Sequence, residues 1–259
     1  MSAPERRRPS HQIALLHAFP CDARMWAPQR EALLARGLTV AAPDLPGFVG
    51  SSLPEGRPSL DAVADHVVDT LSRAADGPWT VAGVSLGGYV AMALLRRHPE
   101  VVGSLVLCDT KATADADQAR ENRLRIAELV EQAPNDAGRV LEQAVLPGLL
   151  GATTFAERPD VVEQVRGWLV EADPTTLAWY QRAMARRPDS RALLAAFTGP
   201  AAIIWGEEDA LSPWSEQELM LESLPGAMVT RVPTAGHLAN VECPETVSTA
   251  LVDFVVGPR

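Results

Sequence analysis

The residues best suited to chemistry lie in Gly83-Val84-Ser85-Leu86-Gly87. An apolar run, Thr80–Val84, leads straight into this G-x-S-x-G pentapeptide, and a helical pattern begins directly after it. A serine on so sharp a turn has strained backbone angles. Side chains two residues to either side of it would strike the neighbouring chain, which accounts for both glycines. The helix start also turns free N–H groups, that of Leu86 among them, toward the serine oxygen. A serine hydroxyl becomes a nucleophile only beside a base that takes its proton. His237, in Ala235-Gly236-His237-Leu238, follows the last apolar run, where a parallel-sheet site gathers its side chains. The other histidines fit worse: His11 precedes the first run, His17 ends it, His66 sits in a helical stretch and His98 ends one.

That base needs an acid to orient it and to stabilise the imidazolium. Asp209 ends Trp205-Gly206-Glu207-Glu208-Asp209, in the turn after the fifth apolar run, and gives the chain order Ser, Asp, His. Asp109 competes with it, because it too follows a strand end. A tetrahedral oxyanion needs a second donor besides Leu86. The N–H of Phe19, in His17-Ala18-Phe19-Pro20 after the first run, is the candidate, and each such donor contributes about 3–4 kcal/mol in the transition state.

The elements that must position these groups are legible as short apolar runs. They are Gln12–His17, Leu38–Ala42, Thr80–Val84, Ser104–Cys108, Ala201–Trp205 and Met228–Val232. All are apolar throughout and not alternating, which suits parallel strands covered on both faces. Helical patterns fill the gaps. Leu60, Val63, Ala64, Val67, Val68 and Leu71 share one face, with Ser59 as N-cap; Leu86–Arg97 ends before Pro99; a last helix starts at Pro244 and aligns Val247, Leu251 and Phe254. Strand and helix alternate, so an α/β fold with a six-stranded parallel sheet and helices on both faces is expected. The eleven residues before Gln12 are too few for an opening antiparallel hairpin, so the sheet is expected to be wholly parallel.

From Lys111 to Thr198 the alternation breaks. Val161, Val165, Trp168, Leu169 and Ala172 form one helical stripe and Leu177, Tyr180 and Met184 another, so residues 111–198 read as a helical cap inserted into a core of 1–110 and 199–259. At least one of Trp179, Tyr180 and Met184 is expected to line an apolar substrate pocket above Ser85. The net charge of −10 argues against nucleic-acid partners and anionic membrane surfaces. No apolar stretch reaches transmembrane length, and the arginines at 6–8 are not backed by an export core, so Met1 to His11 reads as a basic tail. Cys21, Cys108 and Cys243 are odd in number and far apart, as in reduced cytoplasmic proteins.

With LLHAFP, PDLPGF, AGVSLGGYVA, WGEEDALSP and AGHLANVECPE in place, the sequence resembles the α/β-hydrolase superfamily from Gln12 to Val256. It is most similar there to small carboxylesterases, enol-lactone hydrolases and cofactor-free perhydrolases. The resemblance implies a Ser–His–Asp mechanism with an acyl-enzyme intermediate on a small ester, lactone or related acyl substrate, and no metal or cofactor. Two positions depart from the family pattern. Val49 stands where glycine is usual, so a positive φ there would be strained, and Ala18 replaces a glycine in the oxyanion loop. An aromatic residue before Pro20 resembles the perhydrolases, where a turned carbonyl would favour peroxide over water. Two other functions use the same residues: a lyase or cyclase employing the triad as acid and base, and a silent ligand-binding protein.

Overall fold

The computed structural model describes residues 11–257, so the basic-tail reading, His11 apart, falls outside the described residues. Six strands form one sheet: β1 (Gln12–Leu16), β2 (Thr39–Ala41), β3 (Trp79–Val84), β4 (Val102–Cys108), β5 (Ala201–Gly206) and β6 (Met228–Val232). Their order is β2-β1-β3-β4-β5-β6 and every pairing is parallel, as expected. Because all strands run one way, the loops after β1, β3, β4, β5 and β6 all emerge at a single edge. The order reverses between β1 and β3, and ligand sites of open α/β sheets form at such a reversal, outside the carboxyl ends of the strands.

The first helices are α1 (Ala27–Leu34), α2 (Leu60–Ala74) and α3 (Leu86–Arg97). The Ser59 hydroxyl accepts the Asp61 N–H and caps α2, whose Leu60, Val63, Ala64, Val67 and Leu71 are buried while Val68 is half-buried. Full burial of each such aliphatic side chain stabilises by about 1.5–3 kcal/mol, so the stripe holds the helix on the sheet. Pro99 ends α3 with a short 3-10 turn. Between β4 and β5 come α4 (Asp117–Gln132), α5 (Ala137–Ala144), α6 (Leu146–Leu149), α7 (Ala152–Glu157), α8 (Pro159–Glu171), α9 (Pro174–Met184) and α10 (Arg191–Ala196), with no strand among them. The chain closes with α11 (Trp214–Ser223), α12 (Ala239–Glu242) and α13 (Pro244–Val256), the last burying Val247, Leu251 and Phe254.

One expectation needs correction. The central strands β3, β4 and β5 are covered on both faces, but β6 is not: Met228 is 48% and Val229 42% exposed. β2 is also only half-covered. Both are edge strands, so apolar composition alone did not report the coverage of their outer sides.

Candidate active site

Ser85 sits between β3 and α3 with φ 52° and ψ −109°, a conformation that costs on the order of 1–3 kcal/mol and persists because its surroundings fix it. Its N–H donates to the Cys108 carbonyl at 3.0 Å, and its own carbonyl accepts the Thr110 hydroxyl at 2.9 Å. The flanking glycines are required by close approach. A Cβ on Gly83 would lie 2.2 Å from the Gly87 carbonyl carbon, and one on Gly87 would lie 2.1 Å from the Leu16 oxygen.

The structure brings Ser85, His237 and Asp209 together. His237 Nε2 is 2.7 Å from Ser85 Oγ, and Nδ1 is 2.8 Å from Asp209 Oδ2. Asp209 is held from its other sides as well. Its Oδ1 accepts the Leu211 N–H at 2.8 Å and the Ser212 N–H at 3.0 Å, and its Oδ2 accepts the Ser212 hydroxyl. Burial raises the pKa of this carboxyl, but the His237 ring and the Ser212 donors outweigh burial and hold it below the usual carboxylate range.

Asp109, the competitor, faces elsewhere. Its Oδ1 accepts the Gly206 N–H at 2.7 Å and its Oδ2 the Ala239 N–H at 3.1 Å, so it ties the end of β5 to the loop after His237 without bonding the imidazole. Burial and the neighbouring Asp209 carboxylate push its pKa well up. Geometry thus ranks the two acids, which chain order alone did not.

Phe19, in the loop after β1, and Leu86, the first residue of α3 after β3, follow the two strands at the order reversal. Neither N–H donates to a protein acceptor among the described residues, whereas the neighbouring Ala18 N–H is taken by Met25 Sδ at 3.2 Å. Buried His17 braces this loop: Nδ1 lies 3.0 Å from the Ala18 carbonyl, and Nε2 accepts the Leu45 N–H at 2.9 Å. Burial lowers its pKa, consistent with a neutral ring donating through Nδ1.

A cleft of about 550 Å³ opens beside Pro20, lined by Phe48, Val49, Leu53 and Trp168 among others. Trp179, Tyr180 and Met184 do not line it. The Tyr180 hydroxyl donates to the Pro46 carbonyl at 2.9 Å, its ring packs against Phe48 and Trp179, and Met184 Sδ accepts from Arg123. Val49, which also lines the cleft, has the positive φ anticipated for a glycine, 50°, and is 71% exposed.

Sequence reasoning missed Ser212, although an aspartate three residues before a serine is a signal for the local side-chain-to-backbone turn found here. It also missed Glu208 and Glu242, whose partners are remote in sequence.

The α/β hydrolase fold family matches residues 13–244. The chain belongs to this family. It is 36% identical to a thermophilic esterase from Thermogutta terrifontis, whose structure superposes with a TM-score of 0.87 over 97% of this chain and 92% of that one. It is 29% identical over 253 residues to the pimeloyl-[acyl-carrier protein] methyl ester esterase of Aromatoleum aromaticum, covering 95% of this chain and 98% of the relative. The enol-lactonase from Burkholderia xenovorans LB400 is 26% identical, with a TM-score of 0.82 over 96% of this chain and 92% of that one. The chain is therefore a member of the family that is similar to small esterases. Among the described residues no helix is long and apolar enough to cross a membrane.

Proposed function

We propose that the protein is a serine hydrolase that cleaves a small carboxylic ester or lactone through an acyl-enzyme. The observation that carries this reading is the continuous bonded line from Ser85 Oγ through both ring nitrogens of His237 to Asp209. In this reading His237 takes the Ser85 proton as Oγ attacks the acyl carbon, and later returns it to the leaving alcohol. Asp209 keeps the ring's Nδ1–H form and stabilises the imidazolium. The N–H groups of Phe19 and Leu86 receive the oxyanion, and their lack of protein acceptors means that no bond must break first. Water activated by the same imidazole then releases the acid.

Residues 111–198 act as the cap over this site, and the cleft beside Pro20 receives part of the substrate. Its volume falls in the range for small ligands, and it adjoins the loop that carries Phe19. The esterase and lactonase relatives support ester and lactone substrates for this chain. The test is turnover of short aryl esters and small lactones by the parent and by Ser85→Ala, with folding checked by circular dichroism. Loss of about a million-fold in the variant supports the reading, and residual activity within about tenfold of the parent defeats it.

A further inference from the structure

Leu150 to Thr154, in the middle of the helical insertion, returns to the strand edge that carries the triad. Two carboxylates receive it there, one from the loop bearing Asp209 and one from the end of α12, the short helix that follows His237. Glu208, next to Asp209, accepts the Thr153 N–H at 2.8 Å and the Thr153 hydroxyl as well. Glu242 is buried, and its Oε2 accepts the Gly151 N–H at 2.8 Å and the Thr154 hydroxyl at 2.6 Å. Its other oxygen accepts the Gly236 N–H at 2.9 Å and the Leu238 N–H at 3.3 Å. Those two amides lie on either side of His237.

One carboxylate therefore joins the insertion to both neighbours of the triad histidine. The backbones themselves meet at this point. A Cβ on Gly236 would lie 2.3 Å from the Gly151 nitrogen, and one on Gly151 would lie 2.4 Å from Glu208 Oε2. Arg158 closes the other side, donating to the Thr154 hydroxyl at 3.1 Å, the Thr234 carbonyl at 3.1 Å and the Glu242 carbonyl at 3.2 Å. The two triad loops also bond directly, Glu208 N–H to the Ala235 carbonyl at 2.8 Å, so the insertion segment is a third body pinned across a pair already in contact. An unpaired buried carboxylate is expensive, which makes partial undocking of this segment costly and the arrangement close to all-or-none.

We propose that Glu242 is a positioning residue, and that by binding Gly151 and Thr154 on one side and the amides flanking His237 on the other it makes the placement of the imidazole depend on docking of the insertion. The proposal rests on the serine-hydrolase reading above. A shift of about 1 Å in a group aligned for attack costs on the order of a hundredfold in rate, so loosening the loop is read in kcat, while substrate binding in the cleft is left in place.

The experiment measures kcat, KM, thermal midpoint and fluorophosphonate labelling for the parent, Glu242→Ala, Glu242→Gln, Thr154→Val and the Glu242→Ala, Thr154→Val double variant. Glu242→Ala is expected to lower kcat by about tenfold or more with KM within about twofold. Glu242→Gln, which keeps one acceptor oxygen, is expected to fall between it and the parent. Thr154→Val in the Glu242→Ala background is expected to cost nothing further, because both act through one link. A folded Glu242→Ala with parental kcat and only a lower thermal midpoint overturns the proposal. Should Glu242→Ala fail to fold, Thr154→Val decides: kcat about threefold lower with KM unchanged supports it, and parental kcat overturns it. A parent that neither turns over esters nor labels at Ser85 defeats the hydrolase reading, and this proposal with it. A parent that labels, beside variants with unchanged kcat, defeats the proposal alone.

Discussion

Exchanging Asp209 for asparagine separates the role of the acid from its shape. Four donors converge on the Asp209 carboxylate. Oδ1 takes the Leu211 and Ser212 amides, and Oδ2 takes the Ser212 hydroxyl and His237 Nδ1. The two backbone amides can only donate, so in Asp209→Asn they claim the carboxamide oxygen and turn its NH2 toward His237. Nδ1 must then accept, the ring proton moves to Nε2, and Nε2 no longer takes the proton of Ser85. A wrong tautomer of this kind costs on the order of ten-thousand-fold in kcat, or about 5.5 kcal/mol of transition-state stabilisation. Asp109→Asn leaves the imidazole contacts intact and strands one buried amide, of Gly206 or Ala239, so it costs about 1–3 kcal/mol of stability and less than about tenfold in kcat. Initial rates on a short aryl ester, with thermal midpoints for both variants, provide the comparison. If Asp109→Asn is the slower enzyme, or Asp209→Asn keeps kcat within about tenfold, the assignment of the acid is wrong.

Val49→Gly is expected to raise stability by about 1 kcal/mol in chemical denaturation, since an exposed valine at φ 50° gives up left-handed strain and little packing; lower stability would contradict it. Gly87→Ala places a methyl 2.1 Å from the Leu16 oxygen and is expected to cut turnover by about a hundredfold, by shifting the elbow against β1. Burial lowers the His17 ring below its usual 6.5, so the fold favours the neutral form. The stability His17 contributes is complete above the unfolded value and is lost as pH falls through the folded one. Denaturation midpoints followed below pH 6.5 are expected to fall more steeply for the parent than for His17→Gln, and identical slopes would remove His17 from the acid sensitivity.

Ser85 and His237 were legible in the sequence because local rules fix them. The elbow pattern, the close-approach glycines and the strand ends require no knowledge of remote contacts. Asp209 was legible only as one of two acids, because the direction a side chain takes from a strand end depends on what that end packs against. Here the amides of Gly206 and Ala239 claim Asp109. The exposure of Met228 and Val229 follows from β6 having a neighbour on one side only, which composition does not encode. The Tyr180 hydroxyl donates to the Pro46 carbonyl and Met184 Sδ accepts from Arg123, partners remote in sequence that leave no local signal. Glu242 lies 91 positions from Gly151, so its role had no local signal.

Intact-protein and peptide mass spectrometry after brief exposure to a fluorophosphonate reads whether Ser85 is an activated nucleophile. One adduct per chain is expected, on the peptide carrying Ser85, formed rapidly by the parent, far more slowly by His237→Ala and not at all by Ser85→Ala. An unmodified parent, or an adduct on any other residue, would contradict it.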